Sequence, residues 1–440
     1  MHGDTIVALS TPPGTSGLAV IRLSGPACRG LMELHLSGSD RLVRHMHHGA
    51  FREKPGGEIL DRLNFVFMSA PATVTGEDVL ELYPHGNMLL VERMVACLLG
   101  SQGLRLAGPG EFTRRSFENG KIDLLQAEAV GQLIHAQTRQ ALRNAQWTLA
   151  GGLSLPLRAL RDQLLDLSVR LELDVDFSEE EVDPDYASWR ARVREILDSL
   201  ETLARGFERG RTLGRAPRIV LLGSPNAGKS SLINALVEEE RLLVSDVPGT
   251  TRDYVEVPLH LGGGVVHLVD TAGLGKPVDG LDAMAMERTR AQGERADLRV
   301  LVRDGTSDAP EPGFPGEGDF ALRVATRSDL PGFLDPEGYL PVSNLSKQGL
   351  GELVARLEAL AFRGDPVGED IVLTTQRQFQ AIAAARDRVR AALENLESRP
   401  AIEIIAFEIK EAAGHLRELL GEISTEQVLQ KIFAGFCIGK

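Results

Sequence analysis

RIVLLGSPNAGKSSLINAL, residues 218–236, joins an apolar run to a glycine-bounded loop and then to apolar residues at helical spacing. The stretch from Gly223 through Gly228, Lys229 and Ser230 fits G-x-x-x-x-G-K-[ST] between a strand (Ile219–Leu222) and a helix. Its glycines let the backbone wrap so that successive N–H groups face phosphate oxygens. Lys229 supplies a point charge for the β- and γ-phosphates, and the Ser230 hydroxyl is a ligand for Mg²⁺. Outward from this loop, strands and helices alternate to about residue 362, which predicts a parallel α/β nucleotide-binding domain over 214–370.

Two further elements separate GTP from ATP. Asp270-Thr271-Ala272-Gly273 closes the strand VVHLVD, where a carboxylate can reach the Mg²⁺ shell and the Gly273 N–H a γ-phosphate. GTTRD at 249–253 lies between the two motifs and offers Thr251 as a second hydroxyl for the metal. In this order and spacing the three elements resemble a Ras-like P-loop GTPase of the translation-factor-related class. That resemblance implies nucleotide contacts from Asn226, Ala227, Gly228, Lys229, Ser230 and Ser231, and from Ser245, Asp246, Val247, Pro248, Gly249, Thr250 and Thr251. It implies more from Asp270, Thr271, Ala272 and Gly273, with Mg²⁺ on Ser230 and Thr251.

At the base end, Thr326-Arg327-Ser328-Asp329 stands where such GTPases carry Asn-Lys-x-Asp. Asp329 keeps the carboxylate that accepts from guanine N1–H and the exocyclic amine. Thr326 is shorter than asparagine and is expected to lose a hydrogen bond tying base to phosphate loop. Arg327 can lie over the purine face, as guanidinium stacks well on aromatic rings. Ser343-Asn344-Leu345 replaces Ser-Ala-Lys, an element that works mainly through a backbone N–H. GTP is therefore expected over ATP, with weakened affinity.

The residue after the DxxG element is Leu274, which cannot position a water as the Ras glutamine does. In relatives that share GTTRD and an asparagine in the phosphate loop, K⁺ sits where an arginine finger would reach. The corresponding residues are Asn226, Ser245, Val247 and Thr250. The family's water-orienting glutamate corresponds to Asp282, which is one methylene shorter. A solvated switch-loop carboxylate or a helix-start residue is the competing role for Asp282.

The rest of the 440 residues bounds the organisation: two to four domains, 43% hydrophobic and 25% charged, as in ordinary globular proteins. No apolar run spans a bilayer, and no signal-peptide pattern opens the chain. Three dispersed cysteines (Cys28, Cys97, Cys437) point to a reducing compartment, so a cytoplasmic protein without membrane contact is expected. A net charge of −14 argues against a general nucleic-acid coat, though not against a local basic patch. Residues 1–118 read as α+β: TIVALST, GLAVIRLSG, LNFVFMS and DVLELY are strand-like, with a helix near Gly86–Leu99. From Lys121 one helix is expected to run to Gly151-Gly152, with further helices near 154–177, 187–212 and from Thr374 onward. Residues 119–213 and 371–440 would thus form one helical domain, with the GTPase domain inserted in it.

DTIVALSTPPG, VIRLSG, TGEDVLEL, HG, PGEFTRRSFENGKIDLLQAEA, GSPNAGKSSLINAL and FCIGK cover both ends and the middle of the chain. On these segments the whole chain resembles the MnmE (TrmE) family of bacterial tRNA modification GTPases, related to Era and EngA. The resemblance implies a tetrahydrofolate-binding and dimerising N-terminal domain whose ligand is a 5-formyl- or 5,10-methylene-tetrahydrofolate. Arg22, Glu81, Lys121 and Lys440 are its implied contacts; cations suit a glutamate-tailed anion, and a carboxylate suits the pterin amidine edge. It further implies a homodimer, and a heterotetramer with the FAD-bearing partner MnmG (GidA). The product would be an aminomethyl or carboxymethylaminomethyl group at carbon 5 of the tRNA wobble uridine, with K⁺-dependent meeting of the GTPase domains. A regulatory switch of the ribosome-assembly type, without one-carbon chemistry, is the alternative from a different class.

Other features are read more plainly. His45, His47 and His48 lack a second ligand cluster and are expected at a surface or strand edge. The acidic run Glu179–Asp185 lacks a calcium-loop pattern. Cys28 and Cys97 are expected to be inert core thiols. Cys437, among the implied folate residues, is either a reactive thiol or buried for packing. In KIFAGFCIGK (431–440) the last helix is expected to run until Gly435. Phe436 and Ile438 would then anchor an extended end, Gly439 would allow close approach, and Lys440 would be brought to the folate site.

Overall fold

The computed structural model describes residues 3–37, 42–101, 103–176, 186–207, 210, 215–241, 256–271, 293–308, 320–362, 372–398 and 402–440. They form two compact units. The first comprises 1–135, 144–207 and 375–440, and the second comprises 136–143 and 208–374.

The first unit begins with β1 (Thr5–Leu9), β2 (Ile21–Ser24), α1 (Cys28–His35), β3 (His47–Arg52), β4 (Ile59–Met68) and β5 (Val79–Tyr83). α2 (Met88–Leu99), β6 (Leu104–Leu106) and α3 (Glu111–Glu118) follow. The sheet order is β3-β4-β5-β2-β1-β6, antiparallel except for β1 against β6. β1 is buried on both faces. Val7 joins Ile21, Leu23, Phe65, Leu80 and Leu82 under α1 and α2, while Ile6 and Ala8 meet Phe112 of α3. The Asn87 side chain caps α2 by accepting from the N–H groups of Leu89 and Leu90. β3 lies at the sheet edge and carries His47 and His48, as expected of those histidines.

Beneath the second face, the fully buried Arg115 donates to Glu77 at 3.0 Å, Asp4 at 2.8 Å and Glu111 at 3.1 Å. Ser24 adds its hydroxyl to Glu77 at 2.8 Å. A guanidinium this deep is tolerated because carboxylates on three separate segments meet it.

The long helix expected from Lys121 to Gly151 is two helices, α4 (Leu124–His135) and α5 (Arg139–Leu149). The break has a local cause. The Thr138 hydroxyl caps α5 through Ala141 N–H, and Gln137 O accepts from Val265 N–H at 2.7 Å, so residues 137–138 pair with a strand instead. α6 (Ser154–Asp176) and α7 (Tyr186–Arg205) complete this part of the chain.

The second unit holds β7 (Arg218–Leu222), α8 (Lys229–Arg241), β8 (Glu256–Leu261), β9 (Gly264–Asp270), β10 (Leu298–Asp304), β11 (Leu322–Thr326), β12 (Leu340–Pro341) and α9 (Leu350–Ala361). Its sheet runs β12-β11-β10-β7-β9-β8, parallel except at β8. Leu221, Val266, Leu268, Val300 and Val324 pack against Leu232, Leu236, Leu353 and Leu357 of the helices. A Cβ on Gly210 would lie 1.8 Å from Leu373 O, so the chain enters and leaves this unit at one place.

α10 (Gln376–Ser398), α11 (Ile402–Leu420) and α12 (Glu426–Phe433) return to the first unit. The buried residues Leu157, Leu160, Leu164, Leu167 and Leu171 of α6 recur at intervals of three and four, as do Ile382, Ala385, Val389, Ala392 and Leu396 of α10. Such stripes make a helix bundle: α11 packs on α6 and α10, and α10 on α7. α12 ends at Phe433, before Gly435 is reached. Phe436 then packs beside Gly131, where a Cβ would be 3.2 Å from the ring. Ile438 bridges Pro109 through its backbone, but its side chain is exposed and anchors nothing. Among the described residues, no helix is long and apolar enough to cross a membrane.

Candidate functional site

The phosphate loop connects β7 to α8. Two of its residues, Asn226 and Gly228, hold positive φ (62° and 88°), which turns the backbone around the cradle. Lys229 is buried and donates to the carbonyls of Gly223 at 3.0 Å and Ser224 at 2.9 Å. Burial pushes its pKa below the usual lysine value, against the pull of the Asp270 carboxylate. Ser230 Oγ meets Asp270 Oδ2 at 2.6 Å, so the hydroxyl and the carboxylate expected around Mg²⁺ are adjacent. Asp270 Oδ1 is buried and has no hydrogen-bond partner among the described residues. An all-oxygen set with an unspent carboxylate oxygen fits a hard divalent cation. Thr271 uses its side chain structurally, donating to Leu221 O at 2.6 Å, which leaves its backbone for a nucleotide. Ala227 is buried, and Ser231 is exposed on the first turn of α8.

At the base end, the Thr326 hydroxyl donates to Ala227 O at 2.8 Å, with Arg303 O at 3.2 Å as its other acceptor. The threonine, at the end of β11, thus ties this strand to the phosphate loop. Arg327, at φ 64°, is clasped by Asp304 at 2.6 Å and by Asn226 O at 3.2 Å. Asp329 is exposed beside it. Ser343 gives its N–H to Gln348 O, and its Oγ accepts from Ser346 N–H, so this turn is held from within. Ser245, Asp246, Val247, Pro248, Gly249, Thr250, Thr251, Ala272, Gly273, Leu274 and Asp282 lie outside the described residues. Of the four implied K⁺ ligands, only Asn226 is described.

A second cluster lies in the first unit. Arg22 and Glu81 are cross-strand neighbours on β2 and β5, joined at 2.8 Å and half-buried. The Tyr83 hydroxyl donates to the other Glu81 oxygen at 2.5 Å. Burial and this carboxylate push the phenol up to about 12. The Arg22 guanidinium lies over the Phe112 ring, 5.8 Å from its centroid, and Phe112 N–H donates to Lys440 O at 3.2 Å. The tail is thus brought to the Arg22–Glu81 pair through Phe112. Lys121 places its ammonium on Pro71 O at 2.9 Å. Cys437 is exposed, which corrects the alternative that it is buried for packing. Cys28 is buried, and burial raises its pKa to about 12. Cys97 is only half-buried, facing Glu53 O, and is not the core thiol expected. No group of three or more His, Cys, Asp or Glu side chains that could hold a metal occurs among the described residues.

Family models match two parts of the chain: the GTP-binding protein TrmE N-terminus over residues 5–121 and the MnmE helical domain over 124–437. The tRNA modification GTPase MnmE of a Thermus thermophilus strain is 40% identical over 99% of both chains. That of Natranaerobius thermophilus is 35% identical over the full length of both. The chain belongs to the MnmE family of tRNA modification GTPases. Among solved structures, Era of Aquifex aeolicus bound to GDP·AlF4⁻ is 22% identical, covering 40% of this chain and 67% of that one, at a TM-score of 0.28.

Family membership makes this chain a GTPase, with a TrmE-type N-terminal domain and an MnmE helical domain around its P-loop domain. Two participants were missed in the sequence. Tyr83 is two residues from Glu81 on the same strand, so its side chain shares that face, a period-two signal that was available. Asp304, which clasps Arg327, carries no local signal, because its role depends on β10 and β11 being neighbours.

Proposed function

We propose that this member of the MnmE family couples GTP hydrolysis to modification of the tRNA wobble uridine. A tetrahydrofolate serves as one-carbon donor, and an FAD-bearing MnmG-type partner shares the chemistry. The carrying observation is the Ser230–Asp270 pair at 2.6 Å under the phosphate loop, with Lys229 beside it. Bound Mg²⁺, held by Ser230 and Thr251 with Asp270 behind, would neutralise charge on the β- and γ-phosphates. Lys229 exchanges its loop carbonyls for phosphate oxygens. Arg327, already fixed by Asp304 and Asn226, covers the purine face, and Asp329 accepts from its N1–H and amino group. Asp282 orients the attacking water, and K⁺ on Asn226, Ser245, Val247 and Thr250 would supply the charge that Leu274 cannot.

In the N-terminal domain, Glu81 faces the pterin amidine edge of a folate, and Arg22, Lys121 and Lys440 are its cationic contacts. Two copies of the chain dimerise through these domains. The ribosome-assembly alternative has no use for this cluster or for the tail seated against it. GTP turnover in K⁺ against Na⁺, with Asp282→Ala in parallel, tests the hydrolytic half; equal rates in both salts would remove the K⁺ route. Nucleoside analysis of tRNA from a deletion strain tests the other half, and unmodified wobble uridine at the wild-type level would sink it.

A further inference from the structure

β9 changes neighbours along its length. His267 N–H donates to Pro217 O, just before β7, at 2.9 Å, but two residues earlier Val265 N–H donates to Gln137 O at 2.7 Å. Arg139 N–H reaches Gly263 O at 2.9 Å, and Thr138 bridges Gly264. The Gln137 side chain also accepts from Ala216 N–H at 3.2 Å. Residues 137–139 therefore fill the place beside β9 where β7 has not yet begun. The seat is close: at Gly264, with φ 140°, a Cβ would be 2.5 Å from Gln137 O and 2.6 Å from Thr138 Cα.

By their contacts residues 136–143 belong to the second unit, whereas the chain on either side of them belongs to the first. The segment is fixed beside β9, whose last residue, Asp270, meets Ser230 under the phosphate loop. At its N-terminal end it continues directly from α4. That helix seats the tail: Leu124 and Ala127 pack with Leu429 and Phe433, and Gly131 makes room for the Phe436 ring.

We propose that residues 137–139 are a linkage carrying the state of the nucleotide site along β9 to α4, and from α4 to the tail at the Arg22–Glu81 cluster. A shift of Asp270 toward a metal ion and γ-phosphate moves β9, and Gln137 moves with Val265. α4 cannot follow without disturbing the seat of Phe436, because close-packed interiors transmit displacement. The coupling is reciprocal, so folate at the cluster alters nucleotide affinity by the same factor. The linkage rests on the GTP and folate readings of the two sites.

Arg139→Pro tests it with one lost hydrogen bond. Arg139 is the first residue of α5, where proline is tolerated, and the ring removes the N–H that Gly263 accepts. Gly264→Ala pushes Gln137 and Thr138 away from the opposite side. Calorimetry on the full-length protein measures 5-formyl-tetrahydrofolate affinity with Mg²⁺ and GDP, and again with aluminium fluoride and K⁺ added. Wild type is expected to differ by about fivefold or more between the two states. Both variants are expected to differ by less than about twofold, with GDP affinity and nucleotide-free folate affinity retained. A difference that persists in either variant overturns the linkage and leaves the chain connections at Gly210 and Leu373 as the route. No difference in wild type overturns it too, as does loss of nucleotide-free folate affinity in both variants, which makes the segment structural. If wild type bound no GDP or no folate, the reading of that site would fall, and the linkage with it.

Discussion

Ser230 Oγ donates to Asp270 Oδ2 at 2.6 Å, joining the first turn of α8 to the last residue of β9. The bond holds a hydroxyl and a carboxylate in register, with Asp270 Oδ1 left for a further partner. Ser230→Ala should lower GTP turnover by about tenfold or more and shift its Mg²⁺ dependence to higher concentration. A Mg²⁺ titration of turnover checks this. A curve superimposable on wild type would take Ser230 out of the metal shell.

Arg115 predicts a stability effect and its pH dependence. Replacing it with methionine leaves the Glu77 carboxylate buried without its cation, a loss of about 3–5 kcal/mol, read as the midpoint shift of the first urea transition. Burial alone would raise the pKa of Asp4 and Glu111. For Asp4, the charges of Arg115 and Arg105 win, and for Glu111 the Arg105 bond and the Gly108 N–H do, so both carboxyls titrate below their ordinary values. A depressed carboxyl contributes stability that is present above its unfolded pKa, about 4, and is lost as pH falls through the lower folded value. The wild-type midpoint should therefore fall below about pH 4, and Arg115→Met should flatten that slope.

Tyr83→Phe removes the donor to Glu81 and should weaken folate binding severalfold, measured by calorimetry. The same substitution has an optical signature. The phenol is raised to about 12, so its contribution to stability is intact below about pH 10 and is lost as pH climbs through 12. By ultraviolet absorbance, a phenol that titrates near pH 12 in the wild type should vanish in the variant.

Gly439 sits at φ 95°, and a Cβ there would be 2.4 Å from Leu9 O. Gly439→Val should lift Lys440 away from Phe112 and reduce folate affinity by about tenfold or more, leaving GTP affinity unchanged. Truncation of residues 436–440 should act in the same direction. Folate affinity that survives both changes would detach the tail from the site.

Much of the fold was legible wherever one periodicity held. β1, β2, β4 and β5 alternate or run apolar for most of their length, and α6 and α10 carry stripes at intervals of three and four. β3 was illegible because Gly49, Ala50 and Phe51 are buried in succession, which hides any alternation. The break between α4 and α5 was hidden for another reason. Gln137 and Thr138 suit a helix locally and leave it only to pair with Gly264 and Val265, far along the chain. At the nucleotide site the phosphate loop announced itself by spacing. The Thr326–Ala227 bond did not, because it joins the end of β11 to the loop after β7, two strands away in the sheet.

Ser10 Oγ donates to Gly439 O, a contact between residues 429 positions apart, and Phe112 N–H reaches Lys440. During synthesis, β1 and α3 leave the ribosome long before their neighbours at 436–440 exist. The N-terminal sheet must therefore wait, with one flank open, through translation of the entire GTPase insert. The contacts of residues 436–440 with β1 and α3 are therefore made only after the nucleotide-binding unit has been translated.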